Sequence, residues 1–155
     1  MTDQASAPWR PVLRGYVSHR QFGGFLMPAT VQNLVMRDYT QRVGAVFKLS
    51  VDEHAFADCY MRLYGILDDL DGVDGVVMCS AFMLPKNPKR RAFVYDRVAS
   101  RKAALHFVFE NIVVRGIEDS ARLEEIFGLS GVLDRCPKTI PAGLMPPIEG
   151  NDTFS

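Results

Sequence analysis

The chain has 155 residues, 48% of them hydrophobic, and its 18 basic side chains balance 18 acidic ones. A chain of this length can bury roughly 70% of the surface that it exposes when unfolded, which suffices for one core and not for two. A net charge of zero argues against a general binder of nucleic acid or acidic lipid, because such proteins carry a basic excess. No apolar run approaches the ~20 residues that span a bilayer, and residues 1–11 lack the pattern of a secretory signal. We therefore expect one soluble cytoplasmic domain with no membrane partner.

Three cysteines, Cys59, Cys79 and Cys136, are odd in number and widely spaced. No Cys-x-x-Cys pair occurs, so the sequence predicts neither a disulfide framework nor a metal site. The phosphate-binding patterns GxGxxG and GKS/T and the catalytic patterns HExxH and GxSxG do not occur either. We therefore expect no cofactor and no metal.

Apolar runs and helical periods alternate along the first part of the chain. Residues 12–17 predict a first strand, and Pro28 fits the first turn of a helix that ends at Gly44. Residues 45–49 predict a second strand. The apolar positions of the helix form a wide stripe suited to packing on a sheet: Val31, Leu34, Val35, Met36, Tyr39 and Val43.

The second helix has the clearest period of the chain. Its apolar positions step by four, three, four and three: Phe56, Tyr60, Leu63, Leu67 and Leu70. Ser50 and Glu53 have the spacing of a capping box, and Asp58 is an equal candidate to cap a later start.

The remainder of the chain continues the alternation. The apolar run 76–79 is typical of a strand covered on both faces, and a helix is predicted over about 89–102. A fourth strand follows over 105–109, residues 112–114 either extend the sheet or form a fifth strand, and a short helix covers 118–127. This order predicts a single α/β domain over residues 12–134, between a flexible lead (1–11) and a tail rich in proline and glycine (135–155). We expect a mainly parallel, flavodoxin-like sheet of four or five strands, order 2-1-3-4, with helices on both faces.

Ligands of an open α/β sheet bind beyond the carboxyl ends of the strands, where the strand order reverses. With the order 2-1-3-4, Ser18, His19 and Arg20 would face Ser80 and the basic run 86–91. Cations at the start of a helix are mildly unfavourable, so this run invites an anionic partner, although such a run can also be solvated. His106, between two apolar residues, is interpreted as a hydrogen-bonded core histidine.

Five segments resemble the sporadic carbohydrate cluster protein family. They are RGYVSHRQF (14–22), VQNLVMRDY (31–39), CYMRLYGILDDL (59–70), CSAFMLP (79–85) and LHFVFEN (105–111). The resemblance implies a role in bacterial surface-sugar biosynthesis and names no reaction.

The end of the first strand also resembles, more distantly, the catalytic domain of serine recombinases (resolvases and invertases). In that family a strand ending in Tyr-x-Arg-x-Ser presents the nucleophilic serine, and Ser18 falls at this position. Tyr16, however, stands where the motif has arginine, and Arg14 stands where it has tyrosine. The later Asp-Arg-Leu-x-Arg motif is replaced by the residues FMLPK (82–86). Recombinases need several arginines for their transition state, so the resemblance favours a resolvase-like fold and argues against DNA chemistry; we expect no nucleic-acid partner.

Carried over by position, the candidate site residues have distinct roles. Ser18 would be a nucleophile or a hydrogen-bond donor, Glu110 a base, and His19 a further catalytic candidate. Arg20 and Arg91 would hold an anion. The other substrate-binding candidates are Ser80 and, early on the first helix, Gln32, Asn33 and Arg37.

Three classes of function follow from these observations. The first is an enzyme or binding protein of carbohydrate or related biosynthesis that acts on a phosphate- or carboxylate-bearing small molecule. The second is a non-catalytic scaffold for a biosynthetic enzyme, and the third a degenerate recombinase-like, DNA-associated protein. Surplus apolar residues on the first helix and in the tail also predict a homodimer.

Overall fold

The structure, a computed structural model, describes residues 8–137. It contains a five-stranded sheet in the order β2-β1-β3-β4-β5. The pairs β1–β2, β1–β3 and β3–β4 are parallel, whereas β5 runs antiparallel to β4. The strands are β1 (Val12–Val17), β2 (Val46–Asp52), β3 (Gly75–Met78), β4 (Ala104–Phe107) and β5 (Ile112–Val114). The predicted order and the mainly parallel sheet are confirmed, and residues 112–114 form the fifth strand.

The helices alternate with the strands, as predicted for an α/β domain. They are α1 (Ala29–Arg42), α2 (Met61–Asp68), α3 (Pro88–Ser100) and α4 (Ala121–Leu133), with short 3-10 helices at Ala81–Met83 and Ile117–Ser120. None of the helices within residues 8–137 has the length and apolar character needed to cross a membrane. Residues 1–7 of the predicted lead and 138–155 of the predicted tail lie outside the described residues.

The start of α2 differs from the predicted capping box. β2 continues to Asp52, because Val51 pairs with Tyr16 of β1 in the sheet, and the helix begins nine residues later. The buried carboxylate of Glu53 accepts hydrogen bonds from the Arg62 and Leu63 N–H groups, at 3.2 and 3.0 Å. Glu53 thus caps α2 from the end of the preceding strand and satisfies two donors of its first turn.

The periodic face of α2 is the core face over most of its length. Leu63 and Leu67 are fully buried, whereas Phe56 precedes the helix and is 73% exposed. The side chains that are completely enclosed around the sheet include Tyr16, Met78, Leu105 and Phe107. The C-terminal ends of the strands, where the candidate site residues lie, are therefore held in place by a well-packed core.

The buried face of α1 is only partly the predicted apolar stripe. Met36 and Tyr39 are buried as expected, but Gln32 and Thr40 are buried with them, and Leu34 is 68% exposed. The polar side chains enter the core because each is hydrogen-bonded there. Whether the exposed side chains form a homodimer interface stays a prediction.

Candidate functional site

Ser18 directly follows β1 and is held from the start of α1. Its N–H donates to Gln32 Oε1 at 3.0 Å, and Gln32 Nε2 donates to the Ser18 carbonyl at 2.7 Å. Gln32 Nε2 also donates to the Met27 carbonyl at 2.8 Å. One buried amide thus joins the end of β1 to the segment that leads into α1.

The Ser18 hydroxyl belongs to a tight turn. It accepts a hydrogen bond from the Arg20 N–H at 3.2 Å, and the serine is only 2% exposed. The oxygen that would act as a nucleophile is therefore held by its own turn in this conformation.

Arg20 crosses from this turn to the segment before α2. Its guanidinium stacks over the Tyr60 ring, 4.4 Å from the ring centroid, and its Nη1 donates to the Phe56 carbonyl at 3.1 Å. Burial raises the pKa of Tyr60, and the nearby charge of Arg20 opposes that rise. Arg20 therefore has both a cation–π contact and a hydrogen bond to fix its position.

A pocket of about 180 Å³ lies at these strand ends. Ser18 and Arg20 line it from the β1 side, Lys86 from the segment after β3, and Asp58 and Tyr60 from the segment before α2. Phe22, Phe82 and Met83 contribute apolar walls. The Lys86 ammonium makes no hydrogen bond or ion pair with the residues that the structure describes. The strand order 2-1-3 brings these loops together, as expected for an open sheet.

Tyr16 occupies the position at which the recombinase motif has arginine. Its hydroxyl donates to Glu53 Oε2 at 3.0 Å, and both residues are buried. Burial and the neighbouring Glu53 carboxylate raise the pKa of Tyr16. A neutral phenol thus replaces a cation at this position.

Ser80 and Glu110 form a pair at the ends of β3 and β4. The Ser80 hydroxyl donates to Glu110 Oε1 at 2.7 Å, and the Ala81 N–H donates to Glu110 Oε2 at 3.1 Å. The Ser80 oxygen also accepts from the Phe82 N–H at 3.2 Å. Both carboxylate oxygens of Glu110 therefore accept hydrogen bonds from the start of the 3-10 helix that carries Phe82. Glu110 does not line the pocket itself, but it orients the helix whose Phe82 does.

Arg91 is buried in an ion pair. Its Nε and Nη2 donate to the two carboxylate oxygens of Glu124 at 2.8 and 2.7 Å. Its Nη1 donates to the carbonyls of Pro85 and Lys86 at 3.1 and 2.6 Å. The hydrogen bonds from Arg91 hold the pKa of Glu124 below its ordinary value. With its guanidinium used in this way, Arg91 does not line the strand-end pocket.

The other candidates lie apart from the pocket. His19 Nε2 is 2.8 Å from Asp52 Oδ2 in an exposed pair, and Asn33 Nδ2 donates to the Ala29 carbonyl at 3.0 Å. Arg37 lies over the Phe47 ring at 5.0 Å and lines a separate cavity of about 440 Å³. Of the predicted site residues, the structure thus places Ser18 and Arg20 at the pocket. Gln32 joins them only by the hydrogen bonds of its side chain to the Ser18 backbone.

Several pocket residues were not among the sequence candidates. The helical period predicts Tyr60 on the apolar face of a helix, and Phe82 is a position at which the sequence departs from a recombinase motif. Lys86 belonged to the predicted basic run, and that run was the one signal that could have selected it. Within residues 8–137 no three His, Cys, Asp or Glu side chains lie close enough together to hold a metal ion.

The described residues form an α/β domain with a resolvase-like fold. Solved structures with a similar fold include the following two. The N-terminal catalytic domain of TP901-1 integrase has a TM-score of 0.55 at 16% identity, over 79% of this chain and 96% of that one. A resolvase family site-specific recombinase from Streptococcus pneumoniae has a TM-score of 0.51 at 12% identity, over 79% of this chain and 88% of that one. At these identities the likeness shows the fold alone.

No protein-family model and no curated protein matches the chain. The resemblance to the sporadic carbohydrate cluster family therefore receives no support, while the resolvase-like fold is confirmed. The comparison also corrects one expectation. Excluding nucleic acid as a partner was wrong, because the similar solved structures are an integrase catalytic domain and a site-specific recombinase. Net charge and missing motif arginines were too little ground for that exclusion.

Proposed function

We propose that the strand-end pocket binds a phosphate group, with Arg20 and Lys86 as its cations. The observation that carries the proposal is that Ser18, Arg20 and Lys86 line one pocket although they come from loops after two different strands. Arg20 is already oriented by Tyr60 and Phe56, so little side-chain entropy is lost when an anion binds. Lys86 supplies a charge that the described residues leave without a partner.

The size of the pocket indicates how much of the ligand it holds. Its volume of about 180 Å³ is below the roughly 300–1,000 Å³ of sites that enclose a whole small ligand. A phosphoryl group fits such a space, and the rest of the ligand would lie across the mouth against Phe22 and Phe82. The pocket therefore suits one phosphate of a larger molecule.

Two kinds of ligand present such a phosphate. The first candidate is a small phosphate ester, such as a sugar nucleotide, as expected for an enzyme or binding protein of biosynthesis. The second is a DNA phosphodiester, favoured by the similarity in fold to an integrase catalytic domain and a site-specific recombinase. In either case we assign Ser18 a hydrogen bond to the phosphate, because its hydroxyl makes only a long contact of 3.5 Å as a donor, to the Arg20 carbonyl, and can turn its proton towards a ligand.

Binding is measured by titration calorimetry with inorganic phosphate, UDP-glucose and a short DNA duplex. Arg20→Gln and Lys86→Gln are each expected to weaken the binding of whichever ligand binds by about 1.5–3 kcal/mol, the range for hydrogen bonds to charged groups. Lys89→Gln is the matched control, because Lys89 is exposed on the same basic run and does not line the pocket. Unchanged affinity in both pocket variants, or no binding of any of the three ligands, would contradict the proposal.

The same titrations separate the two candidates. An affinity for DNA that falls steeply with salt while UDP-glucose does not bind identifies a phosphodiester ligand. Binding of UDP-glucose in preference to DNA identifies a small ester. Ser18→Ala distinguishes the two roles of the hydroxyl. If turnover of the bound ligand is lost while its affinity is retained, Ser18 is a nucleophile. A modest loss of affinity alone fits a ligand contact.

A further inference from the structure

A larger cavity lies between the sheet and α2, and it shares no residue with the strand-end pocket. Its volume is about 520 Å³, within the range of roughly 300–1,000 Å³ typical of sites for small organic ligands. Arg14 of β1 and Val51 of β2 line it from the sheet, His54 lies beyond the end of β2, and α2 forms the opposite wall. The cavity therefore belongs to the β1–β2 edge of the fold, away from Lys86 and Phe82.

The wall formed by α2 leaves this space open. Arg62, Gly65 and Ile66 line it at the spacing of one helix face, and Asp69 lines it directly after the helix. Gly65 lies at the middle of this face, and a Cβ atom added there would meet nothing within 4 Å. Gly65 is exposed, so the space beside it opens to solvent, and glycine is unfavourable inside a helix. The sequence thus leaves the middle of this helix face without a side chain, at a cost in helix propensity.

The charges around the cavity are predominantly positive. Arg14 lies on β1, between β2 and β3, where strands are usually apolar. Neither the Arg14 nor the Arg62 guanidinium makes a hydrogen bond or an ion pair with the described residues, and Asp69 is the one carboxylate among the lining residues. The register of β1 against β2 shifts between Arg14 and Tyr16, and such irregularities commonly re-aim side chains next to binding sites.

We propose that this cavity is a binding site for a small organic anion, whose carboxylate or phosphate pairs with Arg14 and Arg62 and whose apolar body packs on Val51, Met61 and Ile66. The two arginines supply planar donors that suit both kinds of anionic group. The three apolar side chains supply the surface that a simple inorganic ion would not use. Gly65 provides the room that the ligand body occupies.

The test compares matched probes in NMR titrations of the ¹⁵N-labelled protein. The probes are 2-naphthoate, 2-naphthyl phosphate and the uncharged 2-naphthamide. The two anions are expected to shift the amide resonances of Val51, His54 and Ile66. The affinity for 2-naphthamide is expected to be lower by about tenfold or more, because it lacks the charge-assisted hydrogen bonds. Tighter binding of the phosphate than of the carboxylate, or the reverse, supports the site and identifies its preferred anionic group.

Two kinds of variant test the assigned residues. Arg14→Gln and Arg62→Gln are each expected to lower the affinity for the two anions by about tenfold. Arg122 is an exposed arginine of α4, and Arg122→Gln is expected to leave these affinities unchanged. Gly65→Leu is expected to abolish binding while the melting temperature stays the same or rises, since leucine favours the helix and has space there.

Four results would overturn the proposal. They are the absence of amide shifts with either anion, shifts confined to the loop 18–22, equal binding of 2-naphthamide, and unchanged binding by folded Gly65→Leu. Because the strand-end pocket shares no lining residue with this cavity, its own variants Arg20→Gln and Lys86→Gln should leave these titrations unchanged.

Discussion

Gln32 forms a two-way hydrogen-bonded pair with the backbone of Ser18. Its Oε1 accepts from the Ser18 N–H at 3.0 Å, and its Nε2 donates to the Ser18 carbonyl at 2.7 Å. Gln32 is completely buried, so no water can replace either bond. The orientation of the serine at the end of β1 therefore depends on a side chain of α1.

Replacing Gln32 by methionine is expected to destabilise the fold. Gln32→Met keeps the length of the side chain but leaves the buried N–H and carbonyl of Ser18 without partners, at a cost of about 1–3 kcal/mol for each group. Urea denaturation monitored by circular dichroism measures the free energy of unfolding. Gln41→Met, at an exposed position of the same helix, is the control and should stay within about 0.5 kcal/mol. Equal stabilities of the two variants would contradict this role of Gln32.

Leu67 is expected to be a major contributor to the core. It is fully buried on α2, so Leu67→Ala should lower the free energy of unfolding by about 2–5 kcal/mol through lost burial and the cavity that it creates. Leu129→Ala provides the comparison, because Leu129 of α4 is 65% exposed. A loss below about 1 kcal/mol for Leu67→Ala would show that the periodic face of α2 is not the core face.

Neutralising Glu124 should destabilise the protein by leaving Arg91 without its charged partner. Glu124→Gln is expected to cost about 1–3 kcal/mol in denaturation experiments at neutral pH, whereas Glu125→Gln, its exposed neighbour, should cost little. The pKa of Glu124 is lowered from 4.5 by its hydrogen bonds with Arg91, so its contribution is present above that value and is lost as pH falls below it. The difference between wild type and Glu124→Gln should therefore shrink in acid; a difference independent of pH would be inconsistent with the ion pair.

His106 is expected to make stability fall in acid. Its Nδ1 is 2.8 Å from the Tyr39 hydroxyl, and burial, with a smaller effect of Arg115, lowers its pKa from 6.5 to about 4. The unfolded chain binds a proton at higher pH than the folded one, so this part of the stability is full above 6.5 and declines as pH falls towards 4. An NMR titration of the ring proton measures the folded value, and His106→Gln should flatten the dependence. Titration near 6.5 in the folded protein would refute this assignment.

The site was harder to predict than the fold, and Arg91 and Lys86 show the reason. Both lie in one basic run, and sequence spacing could not tell which of them would meet Glu124, which comes from a helix 33 residues away. The structure buries Arg91 against that carboxylate and leaves Lys86 at the pocket. Tyr60 illustrates the opposite case, since its helical period predicted burial, which is observed, but not the guanidinium of Arg20 stacked on its ring.

The order of strands and helices, the strand order 2-1-3-4 and the buried face of α2 were determined by the sequence itself. Hydrophobic periodicity and the handedness of crossover connections are local or nearly local properties, and both can be read from one chain. Only the tertiary structure decided the cap that Glu53 places on α2, the Gln32–Ser18 pair, the neutral Tyr16 at the end of β1 and the separation of the strand-end pocket from the larger cavity beside α2. Each of these depends on side chains far apart in sequence, and a buried polar group takes whichever partner the packing brings within hydrogen-bonding distance, because leaving it unpaired costs more than any local preference.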